Sequence, residues 1–302
     1  MATTTLIVKG PYDLALSLKA RASFSPEPEE DSSVLRLAVR IGCKPVLMEV
    51  RQAAGELSVL QVSSPDDVDL ESLQERAGWV VLAGLDLGPF YRVAEQHPIL
   101  GPLAHLFRGM KPVRPATLFE MMVDAVIEQQ ISLTAARRIR ARVVERFGER
   151  KADLWIFPGP EPLAQASLDA IRACGLSGRK AEYITGIAGN IVDGSFDLDG
   201  LIGMSDDAVH STISEIRGFG RWSADYILIR GLGRPDAVPV DDLAVRTIVG
   251  KYLGDGDRMT AEQVAEALTP FAPYRGIAVF YLLVHHRLAP DRTQNRERKL
   301  FS

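Results

Sequence analysis

The 302-residue chain is poor in cysteine, in long apolar runs and in excess charge of either sign. Its two cysteines, Cys43 and Cys174, are too few for a four-cysteine zinc site, an iron–sulfur cluster or a disulfide framework. Both read as buried structural thiols. Nowhere do about 18 apolar residues follow one another, and the opening MATTTLIVKGPYD lacks the basic start and long apolar run of an export signal. The expectation is a cytoplasmic protein with no membrane partner. A net charge of −4 weighs mildly against nucleic acid as a partner, because phosphate binding usually leaves a basic footprint. That acidity is local, however: residues 1–85 hold 8 Lys/Arg against 12 Asp/Glu, and the remainder holds 27 of each.

With 46% hydrophobic residues the chain has ample material for packed cores, and its length allows two modest domains. Residues 1–85 alternate as half-buried strands do, in Val34–Ile41, Val46–Val50 and Leu57–Val62, with a polar loop at 25–33. An antiparallel sheet with one or two helices is expected there. From Asp86 the apolar period becomes helical, giving a second region, 86–302, with a polar tail from Pro290. Phe119, Met122, Val123, Val126 and Ile127 form one stripe, interrupted by Gln129 and Gln130. Ser132 then caps a helix whose outer face carries Arg137, Arg138, Arg140, Arg142 and Arg146, a run that reads as solvated. Further helices are expected at 163–173, 179–192, 206–216, 221–230, 241–253, 261–269 and 276–286.

The sharpest local signal is the hairpin at about 212–230, Ile216-Arg-Gly-Phe-Gly-Arg-Trp-Ser-Ala-Asp-Tyr226. Gly218 and Gly220 permit a tight turn and close approach to a ligand, and the helix beginning at Arg221 offers free N–H groups to an anion such as a DNA phosphate. Taken alone, the segment fits a plain helix–helix junction equally well. About twenty residues on, Val238-Pro-Val-Asp-Asp-Leu opens the helix 241–253. Asp241 is expected to be its N-cap and Asp242 a first-turn residue; a lone Asp-Asp pair would ordinarily do no more than cap a helix.

The hairpin followed at this distance by Pro-Val-Asp resembles the helix-hairpin-helix DNA glycosylase superfamily, and within it the 3-methyladenine DNA glycosylase II, or AlkA, type. Phe119-Glu through Val126-Ile-Glu-Gln-Gln-Ile-Ser132, Ile171–Leu176 with Lys180–Tyr183, Pro273–Ala278 and Gly10–Asp13 are similar to further segments of that type. The resemblance implies an α+β N-terminal antiparallel-sheet domain, like half of a TATA-binding protein, followed by an all-α body of two helical lobes with the active-site cleft between them. It implies a monofunctional enzyme that flips alkylated bases out of double-stranded DNA and hydrolyses their glycosidic bonds, working as a nucleoid-associated bacterial monomer.

By the same resemblance Asp242 is the catalytic carboxylate. It would stabilise the positive charge that develops on the sugar and orient water. Trp222 stands where the strand-cutting 8-oxoguanine enzymes carry a Schiff-base lysine. Trp222, Tyr226 and Leu243 would line the base pocket, although an aromatic pair at i and i+4 also suits a core. Leu243 departs from the AlkA pattern, which has an aromatic residue there, and this bears on the range of bases accepted. Gln130 matches the wedge that fills the gap left by the flipped base, or is simply a polar turn residue. Gly218, Gly220 and Arg221 would meet DNA. The carbonyls of Ser214, Ile216 and Phe219 match those that hold a monovalent cation, Na or K; no other cofactor is implied. Two other readings are a glycosylase for an oxidised, deaminated or mismatched base, and a non-catalytic helix-hairpin-helix DNA-binding protein.

Overall fold

A computed structural model describes residues 2–24 and 33–288; the tail from Pro290 lies outside them. Strands β1 (Ala2–Ile7), β2 (Val34–Ile41), β3 (Lys44–Gln52) and β4 (Val59–Ser64) form an antiparallel sheet in the order β1-β4-β3-β2. The register places Leu35 and Val62 on either side of Val50, and Val39 opposite Val46, so the alternating apolar residues share one face. That face packs on α1 (Leu14–Ser23) and α2 (Leu70–Val80) through Leu14, Leu18, Leu73, Ala77 and Val80.

The helical body has two cores. The first is built by α5 (Leu118–Glu128), α6 (Leu133–Phe147), α7 (Pro160–Ala164), α8 (Leu168–Arg172), α9 (Gly178–Val192), α10 (Asp206–Ser214) and α11 (Arg221–Tyr226). The second joins α3 (Gly88–Ala94) and α4 (Leu100–Leu106) to α12 (Leu243–Leu253), α13 (Ala261–Leu268) and α14 (Arg275–Leu288), and takes in Ala20 from α1. The chain thus begins the second core, leaves to build the first, and returns.

Four expectations are corrected. The helix expected at 163–173 is two short ones, because the Ser167 side chain accepts from Ala170 N–H and starts α8 afresh. A hairpin of β5 (Glu149–Lys151) and β6 (Leu154–Ile156) turns through Ala152 at φ 53° and docks on the sheet by Arg36–Asp153, Arg40–Glu149 and Lys151–Asp66 ion pairs. The arginine face is solvated at Arg138, Arg142 and Arg146, but Arg140 turns inward and forks between Asp124 and Glu120 of α5. Burial lowers the Arg140 pKa, but the two carboxylates together outweigh it and raise the value, while burial pushes Asp124 up to about 7. Cys174 is buried, but Cys43 is exposed in the β2–β3 turn.

Candidate active site

The hairpin is built as the glycines require. α10 ends at Ser214, Phe219 N–H bonds to the Ile216 carbonyl, Gly218 takes φ +94°, and extended Gly220 leads into α11. A Cβ on Gly218 would overlap the Tyr183 ring of α9, so this position needs glycine for both conformation and space. Gln129 Nε2 donates to the Gly218 carbonyl (2.9 Å) and to Ser223 Oγ (3.2 Å), tying the end of α5 to the turn. Lys180 Nζ in turn binds the carbonyls of Ile127 and Gln129, where α5 has run out of internal donors. Beneath the hairpin His210 Nε2 of α10 lies 3.0 Å from Asp225 Oδ1 of α11, and burial pushes the Asp225 carboxyl up to about 6.

Asp242, not Asp241, is the N-cap of α12. A turn closes from the Pro239 carbonyl to the Asp242 N–H, which puts Asp241 inside the turn and starts the helix one residue later. Asp242 Oδ1 accepts from Ala244 N–H (2.8 Å) and Val245 N–H (3.2 Å). Its other oxygen accepts from Trp222 Nε1 at 2.9 Å, a bond from α11 in the first helical core to α12 in the second. Three of roughly four lone-pair directions are then used, and the half-buried carboxylate is fixed in orientation.

Trp222 and Tyr226 stack on each other, centroids 4.7 Å apart and planes 17° from parallel. No ring fits between them at that spacing, which leaves the outer face of Trp222 and the edges of the pair to a ligand. Arg230 lies 4.8 Å from the centroid of the Tyr226 ring. Tyr226 Oη and Arg230 both bond to Glu128 Oε2 at the end of α5. Glu128, Gln129, Lys180, Tyr183 and Asp225 lie within segments that carry the resemblance, but neither they nor His210 had a site role in the sequence reading. In the sequence Glu128 is only an acid that follows the apolar stripe ending at Ile127.

Around this cluster, Gln130 is exposed with φ +56°, in the turn between Gln129 and the Ser132 cap of α6. Ile131 beside it is 38% exposed and Leu243 is 60% exposed. Arg221 is exposed at the start of α11. Ser214, Ile216 and Phe219 fall within the hairpin, where Phe219 is buried.

Residues 123–273 match the model of the HhH-GPD superfamily base excision DNA repair proteins. A Bacillus subtilis DNA-3-methyladenine glycosylase is 30% identical over 201 residues, which make up 65% of this chain and 66% of that relative. The matched stretches thus span a little under two thirds of the length of the curated relatives from that organism. Among solved structures, the 3-methyladenine DNA glycosylase from Archaeoglobus fulgidus superposes with a TM-score of 0.81 at 25% identity, covering 94% of this chain and 98% of that one. The Schizosaccharomyces pombe 3-methyladenine DNA glycosylase Mag1, solved with abasic DNA, gives 0.59 at 26% identity, covering 67% and 98%. The expected sheet domain and helix-hairpin-helix body are thus the architecture found, and the chain belongs to the HhH-GPD superfamily of base excision DNA repair proteins.

Proposed function

We propose that the protein is a monofunctional DNA glycosylase that extrudes alkylated bases such as 3-methyladenine and 7-methylguanine from duplex DNA and hydrolyses their glycosidic bonds. The observation that carries this reading is the Asp242 carboxylate, held by the first N–H groups of α12 on one oxygen and by the Trp222 indole on the other. As the bond to the base breaks, positive charge grows on the sugar. A preoriented carboxylate stabilises that charge without having to reorganise. The acceptor direction left over suits the attacking water, whose proton the carboxylate can take. Trp222 can form no Schiff base, so the strand stays intact and the product is an abasic site.

The names of the relatives and the DNA-bound Mag1 neighbour support alkylated bases as substrate and duplex DNA as partner. In this reading Gly218, Gly220 and Arg221 present the hairpin to a phosphate, and Gln130, exposed and in a left-handed turn conformation, fills the gap in the duplex. The base rests along the open edges of the Trp222–Tyr226 pair, with Leu243 at the rim. A monovalent cation on the carbonyls of Ser214, Ile216 and Phe219 suits the hairpin, since a carbonyl that already accepts one bond, as Ile216's does, keeps a second lone pair.

The test is release of methylated purines from alkylated duplex DNA by the wild type and by Asp242→Asn. Loss of an electrostatic group at the reacting centre is expected to slow excision about 10²–10³-fold. Equal release by the two proteins would remove Asp242 from the mechanism. Release of no base from single-lesion duplexes carrying alkylated, deaminated or oxidised bases would leave a DNA-binding protein.

A further inference from the structure

Glu128 is unusual for its position. It is the last residue of α5, where a negative charge meets the negative end of the helix dipole, so helix stability does not account for it. It follows ten consecutive buried residues and is itself only partly exposed, its side chain at 19%. Two groups from the hairpin's second helix and its π-helical extension reach back about a hundred residues to hold it: Tyr226 Oη and Arg230 Nη1. Among the described residues, the hydrogen bonds to Glu128 all fall on Oε2. Oε1 remains as an acceptor in a fixed direction.

The same hydrogen-bonded and stacked series links this carboxylate to the one that would face the sugar: Asp242, Trp222, Tyr226, Glu128. A base whose glycosidic bond lies at Asp242 and whose plane rests along the Trp222–Tyr226 pair points the edge far from its sugar at Glu128. On adenine that edge carries an amino group, a donor. On a 6-oxo purine it carries a carbonyl, an acceptor.

We propose that Glu128 is the specificity-determining residue of the site, accepting a hydrogen bond from the exocyclic amino group of an extruded alkylated adenine, with Tyr226 and Arg230 as its positioning residues. This rests on the glycosylase reading given above. The carboxylate also complements the positive charge of an N-alkylated base and opposes the carbonyl of a 6-oxo purine, since two acceptors facing each other lose the bond and leave both unpaired.

The experiment measures 3-methyladenine, a 6-amino base, and 7-methylguanine, a 6-oxo base, released together from one sample of randomly methylated DNA. Wild type, Glu128→Gln and Tyr226→Phe are compared, each first checked for a cooperative melt. The ratio of 3-methyladenine to 7-methylguanine is expected to fall about tenfold in Glu128→Gln, because a charge-assisted bond is lost and the amide can turn its NH₂ toward a carbonyl. In Tyr226→Phe it is expected to fall about threefold, as Glu128 loses one of its two restraints. A ratio unchanged in both variants overturns the proposal, whether or not both rates drop, because a purely structural role slows the two bases alike. Should Glu128→Gln not fold, the ratio in Tyr226→Phe decides. A folded wild type that releases neither base overturns the glycosylase reading itself, a result distinct from an unchanged ratio.

Discussion

At the scale of single residues, the bond from Trp222 Nε1 to Asp242 Oδ2 joins the hairpin to the carboxylate at α12. Phenylalanine at 222 would keep an aromatic ring against Tyr226 but lose the N–H donor together with the five-membered ring that carries it. The carboxylate would then be oriented from one side alone, by the helix N–H groups. Single-turnover excision by Trp222→Phe is expected to fall about tenfold, with duplex affinity within about twofold of wild type, since a charge-assisted bond is worth about 1.5–3 kcal/mol. A loss of affinity matching the loss of rate would mean that Trp222 serves DNA binding rather than Asp242. Asp242 could be singled out in the sequence only through the family resemblance, whose pattern of a Gly-x-Gly turn followed by Pro-Val-Asp is linear. Its identity as the cap was not legible, because which of two adjacent acids heads the helix depends on the turn closed by the Pro239 carbonyl. Glu128 was illegible for a stronger reason: its partner Tyr226 lies 98 residues away, and only the tertiary fold brings the two together.

At the scale of elements, the hairpin's shape depends on groups outside it. Gly218 sits against the Tyr183 ring with its carbonyl held by Gln129, so α9 and the end of α5 both brace the turn. Alanine at 218 is strained at φ +94° and collides with the ring. Gly218→Ala is expected to cost about 2 kcal/mol or more in urea unfolding. It is also expected to weaken duplex affinity and to reduce the slope of log K against log salt by about one for each phosphate the turn no longer reaches. An unchanged salt slope would show that the turn meets no phosphate. The sheet and the long helices were readable because period 2 and period 3.6 persist over enough residues to be seen. The β5–β6 hairpin was not, because two three-residue strands are too short to show a period, and what fixes them is ion pairing to Arg36, Arg40 and Asp66 of the sheet domain. The split between α7 and α8 escaped for a similar reason, one serine that caps where the apolar pattern runs on.

At the scale of the whole molecule, the junction of sheet and helices rests on a buried cation. Lys111 Nζ donates to the carbonyls of Lys9 (2.8 Å) and Leu85 (2.5 Å), and its backbone N–H to Ser17 Oγ, so the end of the sheet, α1 and the start of the helical body converge on one side chain. Burial pushes its ammonium down to about 8, with Asp86 opposing the shift. The sign of the linkage follows from an unfolded value of about 10.4. Below pH 8 both states hold the proton, and stability does not depend on pH through this group. Between about 8 and 10 the unfolded chain binds the proton more fully than the folded one, so stability rises with pH. Methionine at 111 abolishes that slope and leaves the part-buried carbonyls of Lys9 and Leu85 without their donor, at about 0.5–1.5 kcal/mol each. Lys111→Met is therefore expected to be less stable than wild type in urea, and the gap between the two proteins is expected to widen by on the order of 1 kcal/mol or more from pH 7.5 to pH 9.5. Taking the difference between the two proteins cancels the tyrosines that titrate at the upper end of the window. A gap that stays constant over that range would mean that Lys111 keeps its proton in the folded state, and that the junction tolerates a full charge where the packing suggests it resists one.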